Sequence, residues 1–240
     1  MSETFFAFEA SKDVFVNMGT KTVIHGKFKG GNIIVDKKVG NDVYLKNELR
    51  DSTEDWFYWE FCVENANGQT LTFRFGADRL GYFGPAVSWD LRNWSWLNRC
   101  GENSFTYTFA KNESKVYFAH HMLYNTDRFY SLADRYNIKT KKLCKTRKGR
   151  SVPYIEFGEG KKTVIFTSRH HACESTGNYV LEGVLQHLLE SGNRDYRYIV
   201  VPFVDYDGVI DGEQGKFRFP HDHNRGYMDN PIYPETRAVC

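Results

Sequence analysis

The feature that most constrains this chain is a change in the spacing of its apolar residues near residue 125. Trp56 to Glu64 alternates, with Phe57, Trp59, Phe61 and Val63 on one side of an extended backbone. Leu71, Phe73 and Phe75 then alternate with Thr70, Thr72 and Arg74, and Phe105, Tyr107 and Phe109 alternate with Thr106 and Thr108. A period of two with one apolar side suits antiparallel sheets that lay one face on a core. Asn67-Gly68 between the first two runs predicts a type I′ hairpin. Residues 1–124 are therefore expected to form an antiparallel β-sandwich domain.

Beyond residue 125 the period lengthens. Phe129, Leu132, Ala133 and Tyr136 have helical spacing within Thr126 to Asn137. Lys139 to Arg150 is basic, which predicts a solvated loop, with a surface favouring acidic peptides as the sharper alternative. Residues 125–150 thus read as a connecting helix and basic loop. A strand at Lys162 to Thr167 follows. A helix capped by Ser175 or Thr176 then runs to Glu190, with Val180, Val184 and Leu188 on one stripe and Leu181, Leu185 and Leu189 beside it. Gly192 suits its C-terminal end, and Tyr198 to Val204 reads as the next strand. Strand, helix and strand in this order predict a right-handed crossover in a mainly parallel sheet over residues 151–240. The expected class is α+β with two domains, the second an incomplete α/β unit.

Composition narrows the functions. The 240 residues are 41% hydrophobic and 16% aromatic, enough for a substantial core. A formal charge of +2 gives no bulk attraction to nucleic acid or to a membrane surface. No apolar run approaches the roughly 20 residues of a membrane helix. The start, Met1-Ser-Glu-Thr-Phe-Phe, lacks the pattern of a signal peptide. Five cysteines without a C-x-x-C pair suit a reduced, cytoplasmic compartment.

In a sheet of this kind a site lies beyond the C-terminal strand ends, where His171, Glu174, Asp205 and Asp207 fall. His171-Ala-Cys-Glu174 offers a histidine and a carboxylate at a strand-to-helix turn, where a metal needs convergent donors. The bland alternative is that Glu174 serves the helix N-terminus and His171 fills the turn. The chain supplies a control, because His187-Leu-Leu-Glu190 has the same spacing on the helix itself. His170 reads as a packed or surface histidine and Cys173 as a small buried residue. Asn224-Arg225 pairs an amide with a guanidinium, which suits capture of a carboxylate; a surface ion pair is the competing reading. His221 and His223 add a weaker metal signal.

At these residues the chain resembles the zinc metallocarboxypeptidases of the carboxypeptidase A-like family, and within it the cytosolic carboxypeptidase-like branch. The resemblance rests on His171-Ala-Cys-Glu174 after a strand, on Arg169 two positions before the histidine, and on Asp205-Tyr-Asp-Gly-Val209, where Asp and Tyr replace the family's Asn and Pro. Asp222-His-Asn-Arg225 completes the series, and Trp56-Phe-Tyr-Trp and Val116-Tyr-Phe-Ala resemble the branch's β-sandwich domain. The resemblance implies His171 and Glu174 as zinc ligands and Asn224 with Arg225 as binders of a peptide or protein C-terminal carboxylate. It also implies an arginine that polarises the scissile carbonyl, for which Arg218 is preferred over Lys216. The family's third ligand, a histidine, and its general-base glutamate are expected beyond Cys240, with Pro234 to Val239 opening the helix before them. The 240 residues then correspond to the N-terminal portion of a zinc carboxypeptidase and show no turnover alone. The rival function is a non-catalytic protein that binds peptides or carbohydrates, and a third is a disrupted, inactive fragment.

Overall fold

The computed structural model describes residues 22–76, 79–97, 101–192 and 195–240. The N-terminal segment used above for the signal-peptide reading, and Cys100, lie outside them.

Two sheets fill residues 23–119. One has the order β1 (Val23–His25), β4 (Glu60–Glu64), β9 (Lys115–Ala119), β6 (Ala86–Ser88), β7 (Ser95–Trp96). The other has the order β2 (Ile34–Val39), β3 (Asp42–Lys46), β5 (Thr70–Phe75), β8 (Ser104–Thr108). All neighbours run antiparallel except β3 and β5. The alternating aromatic residues meet between the sheets: Phe61 of β4 lies 5.2 Å from Phe73 of β5, and Phe73 lies 5.4 Å from Phe118 of β9, centroid to centroid. Each ring is fully buried, a stabilisation of about 1.5–3 kcal/mol apiece. Phe57 leaves this pattern and joins a smaller cluster with Tyr58, Leu123 and Cys173.

The Asn67-Gly68 hairpin is not formed. A type I′ turn needs left-handed backbone at both positions, and only Gly68 has it, at φ 72°. Because β4 and β5 each carry a full apolar side, the turn folds one over the other and so joins two sheets rather than two neighbours.

Helix α1 (Thr126–Arg135) is capped by Asn125, whose side chain accepts from Arg128 N–H at 2.9 Å. Phe129, Leu132 and Ala133 form its buried side. The basic stretch that follows is not a loop throughout. Lys141–Lys145 is strand β10, paired with β11 (Ser151–Phe157) across a tight turn in which Gly149 takes φ 78°. Its lysines sit on a sheet edge, where charge discourages further strand addition. The third sheet has the order β10-β11-β13-β12, with β12 at Lys162–Thr167 and β13 at Tyr196–Val201. It is not mainly parallel: of the three strand pairs described in this sheet, only β12 with β13 runs parallel. The short β10–β11 turn permits only an antiparallel pair, whereas helix α2 (Thr176–Glu190) gives β12 and β13 their crossover.

The buried side of α2 is also displaced from the expected stripe. Val180 is 65% exposed, while Asn178, Leu181, Glu182 and Leu185 face inward. Polar contacts set this rotation. Arg128 of α1 makes a bidentate pair with Glu182 at 2.9 and 2.7 Å, and Asn178 donates to the Pro202 carbonyl at 2.8 Å. Beyond β13 come α3 (Tyr206–Asp211), a short 3₁₀ turn at His223–Arg225 and α4 (Pro234–Val239).

A clasp ties residues 30–60 to residues 210–218. Asp51 accepts from the N–H groups of Gln214 and Gly215, both at 2.9 Å, and from Arg218 Nε at 2.6 Å. The Gln214 side chain pairs both ways with the Tyr58 backbone, at 3.0 and 2.9 Å. Asn32 Nδ2 donates to the Gly212 carbonyl at 2.7 Å. Gly212 takes φ 68°, and a Cβ there would meet Gly31 O at 2.5 Å. Beside the clasp Glu60, 3% exposed, is reached by Tyr58 OH at 3.3 Å. Burial raises its pKa from the ordinary 4.5 to about 8.

Three outcomes follow from this packing. Asp51→Asn should cost about 3 kcal/mol by leaving Arg218 under-neutralised, and hydrogen exchange should quicken first at Gln214 and Gly215. Gly212→Ala should lower the melting temperature by roughly 4–8 °C, for a loss of about 2 kcal/mol. Folded Glu60 holds its proton above the unfolded value, so stability is greatest at low pH for this group and falls as pH rises from 4.5 through about 8. Glu60→Gln should abolish that part of the decline, measured by denaturant unfolding at pH 5 and pH 9.

Candidate functional site

The parallel pairing of β12 and β13 continues past both strand ends and delivers the site loop. Ser168 N–H donates to the Val201 carbonyl at 3.1 Å, and Asp205 N–H donates to the Arg169 carbonyl at 2.8 Å. Arg169 then turns the chain with φ 57°. Its buried guanidinium bonds the Ala172 carbonyl, with Nε at 2.7 Å, and the Tyr124 carbonyl at 2.9 Å, folding residues 169–172 into a tight hook. Burial lowers its pKa from the ordinary arginine value. Cys173 N–H is held by the Gln214 carbonyl at 3.2 Å, so the clasp reaches the hook directly.

The hook brings the two expected ligands together. His171 Nδ1 lies 3.0 Å from Glu174 Oε1. That contact raises the histidine pKa and lowers that of the carboxylate. The far nitrogen, Nε2, is buried without a hydrogen-bond partner among the described residues, yet it lies 3.3 Å from Asp222 Oδ2. A metal fits this arrangement. Bonds of about 2 Å in tetrahedral geometry place two donors roughly 3.3 Å apart, close to the separation of Nδ1 and Oε1. A carboxylate on the other ring nitrogen is the usual way to fix the orientation of a metal-binding histidine.

The anchor residues follow at once. Asn224 and Arg225 lie on the exposed 3₁₀ turn, and Arg225, with 67% of its side chain accessible, reaches Asp222 Oδ2 at 3.4 Å. Asp222 therefore touches both the histidine and the arginine. Sequence reasoning took it only as the first letter of Asp222-His-Asn-Arg225; its position two residues before Asn224 was the available signal.

Arg218 is placed differently from a group awaiting a substrate. Nε contacts Asp51 at 2.6 Å, Nη2 contacts Glu213 at 2.6 Å and Asp205 at 2.9 Å, and Nη1 lies 3.1 Å from His223 Nδ1. Burial opposes its charge, but the carboxylates of Asp205, Asp51 and Glu213 outweigh burial and raise its pKa. Lys216 lies nearer the expected ligands, with Nζ 3.9 Å from Glu174 Oε1 and 4.4 Å from the Trp56 ring centroid.

The remaining candidates are engaged elsewhere. Asp207 turns to the β10–β11 turn, where Thr146 and Arg150 each reach it at 2.9 Å. His170 contacts Tyr227 OH at 2.6 Å, and His221 bonds the Asp222 carbonyl at 3.0 Å. His223 stacks on Tyr233 at 3.7 Å between centroids. In the internal control, Glu190 accepts from Tyr136 OH at 2.6 Å and His187 is exposed on α2. Burial pushes the Cys173 thiol up to about 12, which leaves it protonated.

No family model matches the chain. An uncharacterised protein of Zymomonas mobilis is 27% identical over 79% of this chain and 55% of its own length. Cytosolic carboxypeptidase 2 of Xenopus tropicalis is 26% identical over 84% of this chain and 26% of its own length. Cytosolic carboxypeptidase 1 of Xenopus laevis is 22% identical over 82% and 21%, respectively. The chain thus spans about half the length of the first relative and about a quarter or less of the other two. Among solved structures, a metallo-carboxypeptidase from Burkholderia cenocepacia superposes with a TM-score of 0.73 at 19% identity, over 91% of this chain and 66% of the other. A metallo-carboxypeptidase from Pseudomonas aeruginosa, in complex with (2-guanidinoethylmercapto)succinic acid, gives 0.74 at 19% identity over 90% and 64%. In fold and in its curated relatives, this chain is carboxypeptidase-like.

Proposed function

We propose that this chain carries part of the active site of a zinc metallocarboxypeptidase that removes C-terminal residues from peptides or proteins in the cytoplasm. The observation that carries the reading is the bridging position of Asp222, 3.3 Å from His171 Nε2 and 3.4 Å from Arg225 Nη1. One carboxylate thereby joins the candidate ligand pair to the candidate carboxylate anchor. In the same reading, residues 1–124 form a β-sandwich domain, residues 125–150 connect, and residues 151–240 belong to the catalytic domain.

His171 and Glu174 would hold the zinc, and when bound it would supply an acidic water and polarise a carbonyl oxygen. Asp222 keeps the His171 ring oriented, with Nδ1 toward Glu174. Arg225, on the exposed turn with Asn224 beside it, offers paired donors to a terminal carboxylate. Such an anchor admits only the last peptide bond to the metal pair. Lys216 is the better placed of the two cations proposed to act on the scissile carbonyl. Arg218, with all three nitrogens engaged, shapes the loop that presents Lys216. This reading assigns two ligands, His171 and Glu174, and because the chain spans only part of its relatives' length, peptide hydrolysis is proposed for the whole protein.

Zinc titration by calorimetry tests the assignment. His171→Ala and Glu174→Ala should each abolish the zinc binding measured at this site. Asp222→Ala should weaken it by roughly 10–100-fold. Arg225→Ala should leave zinc affinity unchanged and weaken binding of a short peptide with a free C-terminus. Equal zinc binding in all of these proteins would overturn the ligand assignment.

A non-catalytic binding protein is the second reading. It is favoured by the exposed rings of Tyr82, Phe83 and Trp96, with Phe83 5.0 Å from Tyr82 and 5.5 Å from Trp96. If it holds, peptide binding should survive the loss of His171.

A further inference from the structure

We propose a second metal site, for a zinc-like divalent ion, on the outer face of the first sheet, formed by His25, Cys62 and Glu64. Strand register creates it. His25 of β1 lies directly opposite Cys62 of β4, and Glu64 is two residues further along the same strand. Opposed residues and alternate residues share a face, so all three side chains project to one side. The other face carries Ile24, Phe61 and Val63 into the core. One donor atom from each residue can be chosen so that all three lie within 4.8 Å of one another. His25 Nε2 lies 3.7 Å from Glu64 Oε1.

The donor set of thiol, imidazole and carboxylate suits zinc, with a fourth position for water. Burial lowers the His25 pKa, so its ring is neutral at neutral pH. Burial pushes the Cys62 thiol up to about 12, so the ion itself must displace its proton: binding would form a sulfur–metal bond and release that proton to solvent. Two existing contacts must yield. Lys115 Nζ holds Glu64 Oε1 at 2.8 Å, but that lysine is about half accessible and such a pair contributes little. Lys27 N–H donates to His25 Nδ1 at 3.1 Å. This contact is exposed, so water replaces the ring when Nδ1 takes the proton.

A bound ion would cross-link the short edge strand β1 to its neighbour β4. The site owes nothing to the carboxypeptidase reading and is separable from it, because His171 and Glu174 offer no sulfur.

Cobalt(II) is the probe, titrated into the purified 240-residue chain. A sulfur-to-cobalt charge-transfer band should grow in the near ultraviolet. It should vanish in Cys62→Ser, and His25→Asn and Glu64→Gln should each weaken its cobalt affinity roughly tenfold or more. It should persist in Cys173→Ser and in His171→Ala, which excludes the neighbouring thiol and the candidate catalytic pair as its source. Should the buried Cys62→Ser fail to fold, the two partly exposed variants decide the matter. Absence of the band at saturating cobalt, its survival in folded Cys62→Ser, or unchanged affinity in both His25→Asn and Glu64→Gln would overturn the proposal.

Discussion

The Asp51 carboxylate is the contact on which the candidate site depends. It comes from the segment between β3 and β4, yet its partners are Gln214, Gly215 and Arg218, more than 160 positions away in sequence. It satisfies two backbone N–H groups of a loop and one edge of a buried guanidinium. The rest of that guanidinium is held by Asp205 and Glu213, so α3 is drawn into the same knot. An isolated buried charge would be costly, and shared neutralisation makes this one tolerable. Gln214 then hands the order on, through its carbonyl, to Cys173 beside His171 and Glu174. The sheets of the first half are thus part of the scaffold that aims His171 and Glu174.

Much of the architecture was legible where one physical rule dominates. Trp59, Phe61, Leu71, Phe73 and Phe105 follow a period of two, and all are buried in one core. Phe129, Leu132 and Ala133 follow a helical period, and all face inward. Illegible features arose where a second force competes with the first. Val180 looks like core but faces solvent, because the Arg128–Glu182 pair and the Asn178 contact rotate α2. The Lys-rich stretch looked like a loop, but lysines are equally at home on the outer edge of a sheet. Asn67-Gly68 specified a turn, but a turn does not say which sheet the next strand joins.

The site divides in the same way. That His171 and Glu174 lie close together was readable, because they are three positions apart on the turn that leaves β12. The approach of Asp222 to His171 was not readable: it requires knowing that the 3₁₀ turn returns to the hook, and no periodicity encodes that. The surroundings of Arg218 were not readable for a related reason. Its charge advertises a substrate contact, but its fate is decided by Asp51, Asp205 and Glu213, which converge only in the folded chain.

The long reach of the clasp also bears on the order in which the molecule assembles. Closing a loop between Asn32 and Gly212 spans 180 positions, and Asp51 to Arg218 spans 167. Such contacts bear their full entropic cost before returning any stabilisation, so they form late. The hook around His171 contains its own local bonds, but the Gln214 carbonyl that holds Cys173 arrives only with the clasp. The support that Gln214 gives the hook therefore waits on the joining of residues 30–60 to residues 210–218, and a chain in which those two segments are apart lacks it.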